Sequence, residues 1–275
     1  MKFLNNNIVV VLFGMSILLA SCKRDTPIIQ PPKDVYAVLT QENAHNKFTH
    51  FFWHLEIVAD KEEHPNIWID FNNNGKKDEG EDAKFGGKHL YSVEKNGKNN
   101  VITIYGKIKR LDCGDTDLVD IDISKSDSLK ILYCPNNYIK SIGVIPKGLE
   151  ELYCYNNQIK QIVQLGNVSN LQYLNCSRNQ MKVLILENTK LTQMNIILNQ
   201  FKGADMDNII NRLPDWFDKV KKGEMEASKL YTLYKDDTVE GNVITKEQIK
   251  AANKKGWKVF ATHSGSNHSE ELTAN

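Results

Sequence analysis

The sequence predicts an α/β repeat solenoid, and three observations carry that prediction. LKILYCPNNYIKSI (129–142), LEELYCYNNQIKQI (149–162) and LQYLNCSRNQMKVL (171–184) share the pattern L-x-x-L-x-C-x-x-N-x-I. Aligned on it, units begin at Ile108, Leu129, Leu149, Leu171 and Leu191, at spacings of 21, 20, 22 and 20 residues. Two columns then stand out: the sixth position reads Cys113, Cys134, Cys154, Cys176 and Ile196, and the ninth Thr116, Asn137, Asn157, Asn179 and Asn199.

A period near twenty is that of a short leucine-rich-repeat array, with parallel β-strands on a concave face. No single unit can bury its apolar positions, so each Leu, Leu, Cys and Ile is expected to pack against the units before and after it. A thiol there behaves as a small hydrophobe. The ninth-position amide turns the chain and can satisfy backbone groups that a buried turn leaves unpaired. One position shared by four cysteines, with Ile196 accepted in the last unit, favours free buried thiols over disulfides. Zinc is disfavoured by the lack of any C-x-x-C pair and of histidine between Cys113 and Cys176.

In chain order, residues 1–21 read as a targeting segment: Lys2, an apolar run at 8–20, then Leu19-Ala20-Ser21-Cys22. The run is shorter than the roughly 20 residues a membrane-spanning helix needs. The tetrad resembles a bacterial lipoprotein signal, which implies lipidation of Cys22. KRDTPIIQPPKD (23–34), with three prolines, makes 22–34 a lipidated, extended tether. Residues 35–107 lack the repeat but alternate strand-like runs, at 66–71 and 101–105, with Gly- and Asn-rich turns, and read as a β-rich N-terminal module. The repeats occupy 108–201. An α/β C-terminal cap follows at 202–262: helical spacing at 204–213 before Pro214, a strand at 229–234, a capping box Thr245-Lys246-Glu247-Gln248 opening a helix to about 254, and a last strand at 257–261. The tail, 263–275, is polar and expected to fray.

The stretch 108–201 resembles the cysteine-ladder leucine-rich repeats of internalin-J-like and BspA-like bacterial surface proteins. VITIYGKIKRLDC (101–113), GADMDNIINRLP (203–214) and EGNVITKEQIKAANKKGWKVF (240–260) resemble the segments flanking such arrays. The resemblance implies a noncatalytic surface or adhesion role and names no ligand. With the lipid signal it implies a protein anchored in the outer membrane or displayed at the cell surface, and Lys23-Arg24-Asp25 after Cys22 leaves the leaflet open.

Composition agrees with a binding module. After Cys22 the chain carries 34 basic and 34 acidic residues, which leaves no electrostatic footprint for nucleic acid. The chain is expected to be a monomer whose partner is a protein or a glycan. The third, fifth and seventh positions of each repeat project outward from the short strand, which gathers Tyr133, Tyr153, Tyr155 and Tyr173 on the concave face. Tyrosine combines apolar area, a polar tip and low entropy cost, and is enriched at binding hot spots. Cross-strand tyrosines also stabilise a sheet by covering neighbouring backbone.

One metal is a candidate cofactor. In DFNNNGKKDEGE (70–81), Asp70, Asn72, Asn74, Asp78 and Glu81 fall at positions 1, 3, 5, 9 and 12, with Gly75 at 6, which is calcium-loop spacing. Lys77 stands where an apolar residue would pack, and a strand precedes the loop, so an Asn-Gly hairpin turn competes. His45, His50 and His54 surround HFFWH without a glutamate base between them, which favours histidines beside an aromatic core over zinc. No phosphate loop is present, and Ser264 between His263 and His268 lacks a nucleophile elbow, so no enzyme is predicted.

Overall fold

The computed structural model describes residues 36–41, 50–94, 100–162, 165, 168–235, 238–263 and 268–274. The leader, Cys22 and the tether lie outside the described residues, as do His45 and Ser264. The elements before the second repeat are β1 (Tyr36–Gln41), β2 (His50–Val58), β3 (Trp68–Asp70), β4 (His89–Glu94), β5 (Val101–Tyr105), β6 (Arg110–Asp112) and β7 (Leu118–Asp122). The repeats continue with β8 (Ile131–Tyr133), β9 (Ser141–Ile142), β10 (Glu151–Tyr153), β11 (Gln161–Ile162), β12 (Tyr173–Asn175) and β13 (Gln193–Asn195). Then come α1 (Ala204–Arg212), α2 (Phe217–Lys221), β14 (Ser228–Lys235), α3 (Lys246–Asn253), β15 (Trp257–His263) and β16 (Ser269–Glu271).

The expected α/β solenoid class is overturned. The chain is mostly sheet, with one antiparallel sheet, one long mixed sheet and one two-stranded parallel sheet. One sheet, β3-β5-β1-β7, is antiparallel throughout. The long sheet, β16-β15-β14-β13-β12-β10-β8-β6-β2-β4, has parallel pairs in its middle but antiparallel strands at both ends. Among the described residues, 108–201 contain no α-helix. The physical reason lies in the return segments between the Asn turns and the next strands. Pro146 and Gly148 in one, and the β-branched Val183 and Ile185 in another, oppose helix. The chain returns extended instead, and β9 and β11 pair in parallel through Ser141 with Gln161 and Ile142 with Ile162.

The expected domain boundaries are also crossed. β7 belongs to the first repeat yet pairs with β1 in the antiparallel sheet, Leu39 opposite Ile121. β2 of the N-terminal module pairs with β6 of the first repeat, Ile57 opposite Leu111. At the other end β14 and β15 prolong the parallel set, and the tail expected to fray folds back as β16 against β15.

Within the long sheet the core is a single register row. Leu111, Leu132, Leu152, Leu174, Met194, Leu230 and Val259 lie opposite one another across seven strands, and every one is fully buried. Burial of each such side chain contributes about 1.5–3 kcal/mol. Cys113, Cys134, Cys154 and Cys176 form a second row, fully buried and unbridged. Burial pushes their thiols up, that of Cys176 to about 12 and the other three well above the ordinary value.

The Asn row completes the interior. Asn157 donates to the carbonyls of Cys134, Cys154 and Tyr155, and its Oδ1 accepts from the Ile139 amide at 3.0 Å. Asn137, Asn179 and Asn199 repeat this arrangement one unit apart. The residue before each, and Asp115 before Thr116 in the first unit, sits in the left-handed region: Asp115, Asn136, Asn156, Arg178 and Leu198 have φ between 53° and 58°. Asn and Asp tolerate that conformation, which accounts for the Asn-Asn pairs in the second and third units.

The C-terminal cap is as the sequence predicts in its local elements. The capping box of α3 forms in both directions, Thr245 Oγ1 accepting from the Gln248 amide and Gln248 Oε1 from the Thr245 amide. Gly256 ends the helix at φ +80°, where a Cβ would meet Trp216 and Phe217 backbone at 3.1 Å.

Candidate functional site

The outward face of the long sheet is built by the same period as its core. With the first, fourth and sixth side chains turned inward, those at the third and fifth face out, and parallel register stacks them about 4.8 Å apart. Tyr133 lies opposite Tyr153, and Glu151 lies opposite both Ile131 and Tyr173. Tyr133, Tyr153, Tyr155 and Tyr173 are all half-buried, and the structure brings all four together. The Tyr153 and Tyr173 rings stack at 4.6 Å and 27°, Tyr133 tilts against Tyr153 at 5.3 Å, and Tyr133 meets Tyr155 edge to face at 6.1 Å and 83°.

Their hydroxyls are held as well. Tyr133 and Tyr155 share a hydrogen bond of 2.6 Å, and Tyr153 donates to Glu151 Oε2 at 2.8 Å. Burial raises the pKa of Tyr153, Tyr155 and Tyr173. For Tyr153 the bond to Glu151 adds to the rise, and for Tyr155 the bond to Tyr133 and the charges of Asp115 and Asp112 do so. Hydrogen bonds from the Asn175 and Gln193 side chains oppose it at Tyr173. All three are neutral phenols at physiological pH.

Two aromatics extend the face beyond the predicted set. Tyr231 on β14 and Phe260 on β15 are in register and stack at 5.2 Å and 26°. Tyr231 lies opposite Asn195, and the edge of its field reaches Tyr173. The available signal was the alternation of SKLYTLYK and WKVFATH, whose inward Leu230 and Val259 put Tyr231 and Phe260 outside.

A sixth rung of the Asn row was hidden too. Thr232 takes the cysteine position, fully buried, and Asn242 takes the Asn role from ten residues further on. Asn242 Nδ2 donates to the Ile196 and Thr232 carbonyls at 2.7 and 2.9 Å, and its Oδ1 accepts from the Phe201 amide. Glu240 positions this loop by accepting from the amides of Leu198, Tyr234 and Asn242, and burial raises its pKa.

The 70–81 segment is a turn that closes on its own carboxylates. Asp70, fully buried, accepts from the amides of Asn74 and Gly75 at 3.1 and 2.7 Å. Glu81 accepts from those of Phe71 and Asp78 at 2.9 and 2.8 Å. Asn72 and Asn74 both donate to Asp78 Oδ2 at 2.7 Å, which lowers the pKa of Asp78, whereas burial raises that of Glu81. Among the described residues, no group of three or more His, Cys, Asp or Glu side chains is arranged to hold a metal ion. His50 and His54 stand on β2, where residues four apart are about 13 Å distant, so they make no helical zinc pair. Among the described residues no helix is long and apolar enough to cross a membrane.

Comparison with protein-family models gave no match, and no curated protein matched the chain.

Proposed function

We propose that this chain is a lipid-anchored outer-membrane protein, exposed at the cell surface, whose tyrosine-bearing sheet face binds a protein or glycan partner without catalysis. One observation carries the reading: Tyr133, Tyr153, Tyr155 and Tyr173 are held side by side, half-exposed, on one outward face. Aromatic area already ordered before binding loses little entropy when a partner arrives. The Leu19-Ala20-Ser21-Cys22 tetrad and the resemblance of 108–201 to BspA-like repeats support the anchor and the surface role. The balanced charge supports a partner other than nucleic acid.

The test is a pull-down with the full chain from host matrix proteins, serum and bacterial surface extract, beside a variant with the four tyrosines changed to Ala. A partner kept by the parent and lost by the folded variant supports the reading, and equal retention places binding elsewhere. A second reading, a structural envelope protein with no soluble ligand, is favoured by the mutual stacking of the tyrosines, and an empty pull-down selects it.

Calcium belongs to the same proposal. Asp70, Asn72, Asn74, Asp78 and Glu81 supply oxygen donors at the right spacing, and a cation would relieve the repulsion between Glu81 and the carboxylates of Asp70 and Asp78. On this reading millimolar calcium raises the Tm and chelator lowers it. An unchanged melt leaves the loop a turn.

A further inference from the structure

The charges around the tyrosines do not balance, and the imbalance is local. At the β6 end of the face, Asp112 pairs with Lys88 at 3.2 Å and with Arg110 at 3.9 Å, and Arg110 pairs with Glu56 at 3.4 Å. On the neighbouring loops Lys130 pairs with Glu150 at 3.1 Å. These groups cancel. Among the described residues, two carboxylates of this face are left without a salt bridge. Glu151 lies among Ile131, Tyr153 and Tyr173 and accepts a hydrogen bond from Tyr153. Asp115, exposed at the turn after β6, accepts from the side-chain amide of Asn136 at 3.0 Å.

Their fields fall on the rings. Glu151 acts on Tyr153 and Tyr173, opposed at Tyr153 by Arg110, and Asp115 acts with Asp112 on Tyr155. The far end of the face has the opposite sign: Lys229, exposed beside Tyr231, has no acidic partner among the described residues, and Lys258 is matched by Glu271 at 2.8 Å. A row of aromatic rings framed at one end by two unmatched carboxylates attracts a cation twice, through its charge and through the ring quadrupoles. A neutral sugar would gain nothing from that arrangement of charge.

Resting on the binding role proposed above, we infer that the Tyr133, Tyr153 and Tyr155 end of the face, framed by Glu151 and Asp115, receives a lysine or arginine side chain of a protein partner. The cation takes its place between the two carboxylates and against the tyrosine rings, and the neutral, amide-rich middle of the face, with Asn175, Gln193 and Asn195, contacts the partner's backbone.

The experiment measures binding of the full chain to a labelled Gly-Ser peptide carrying three lysines, to the same peptide Nε-acetylated, and to a neutral glucose hexasaccharide. The lysine peptide is expected to bind, with affinity falling about tenfold or more on acetylation and on the paired change Glu151→Gln with Asp115→Asn. The paired change Asp120→Asn with Glu224→Gln removes the same charge from exposed sites elsewhere and is expected to leave affinity within about twofold. All four substitutions are outside the core, and an unaltered near-ultraviolet circular dichroism spectrum verifies the fold. Equal binding of the acetylated peptide, equal loss from both pairs of changes, hexasaccharide binding in place of the peptide, or no binding of the lysine peptide each overturns the inference. The tyrosine pull-down is then decisive for the parent reading: a partner lost with the tyrosines and kept with Glu151→Gln and Asp115→Asn leaves that reading standing without its cation.

Discussion

The inward and outward faces of the long sheet are written by the same twenty-odd residues, yet their polar groups are bound to different things. Inside, the amide of Asn157 bonds to backbone of two successive units, and no other side chain is involved. Outside, Tyr153 and Tyr155 bond to side chains, Glu151 and Tyr133. A backbone partner exists at every repeat whatever the sequence, so the inner row is fixed by the fold. A side-chain partner exists only where the neighbouring unit supplies it, so the outer row is free to differ from one unit to the next.

The sharpest way to break this contrast is Asn157→Ala, which leaves the Ile139 amide without its acceptor and takes one of two donors from each of the Cys134, Cys154 and Tyr155 carbonyls. A loss of at least about 3 kcal/mol is expected, read by urea unfolding. Cys154→Ser follows, since a hydroxyl replaces a thiol at a fully buried site, with an expected cost of about 1–3 kcal/mol. The same burial predicts that the four repeat thiols resist an aromatic disulfide reagent at pH 8 until the chain is unfolded. On the outward face, Tyr153→Phe removes only the bond to Glu151 and is expected to cost under about 1 kcal/mol, so a large loss of stability there would erase the distinction between the faces.

The smallest effect concerns pH. The Glu240 carboxyl is raised, so its folded form holds the proton above the pH at which the unfolded chain releases it. The stability it contributes is therefore complete below the ordinary carboxylate range and is lost as pH rises through the raised value. The Tm difference between the parent and Glu240→Gln should accordingly shrink between pH 4 and pH 7.

Much of this was legible because it is periodic. The strands centred on Leu132, Leu152 and Leu174, the Asn row and the outward tyrosines all follow from one spacing, and the α3 capping box follows from four consecutive residues. The class was misjudged because a period near twenty says nothing about how the chain returns; Pro146, Gly148, Val183 and Ile185 keep it extended. The sixth rung escaped because a loop separates Thr232 from Asn242, so that no fixed spacing marks it. Tyr231 and Phe260 escaped with it. The pairing of β2 with β6 and of β7 with β1 depends on contacts between segments of unrelated pattern, and no spacing within either strand announces them.

The Asn row also has a direction. Asn157 reaches back to Cys134 and Ile139 of the unit before it, as Asn179 reaches back to Cys154 and Ile159, and none reaches forward. Each unit is therefore a tenant of its predecessor and a landlord to its successor, on identical terms. A unit gained or lost by recombination leaves every remaining lease intact, and alters only the width of the outward face, by one strand and whichever tyrosines that strand brought.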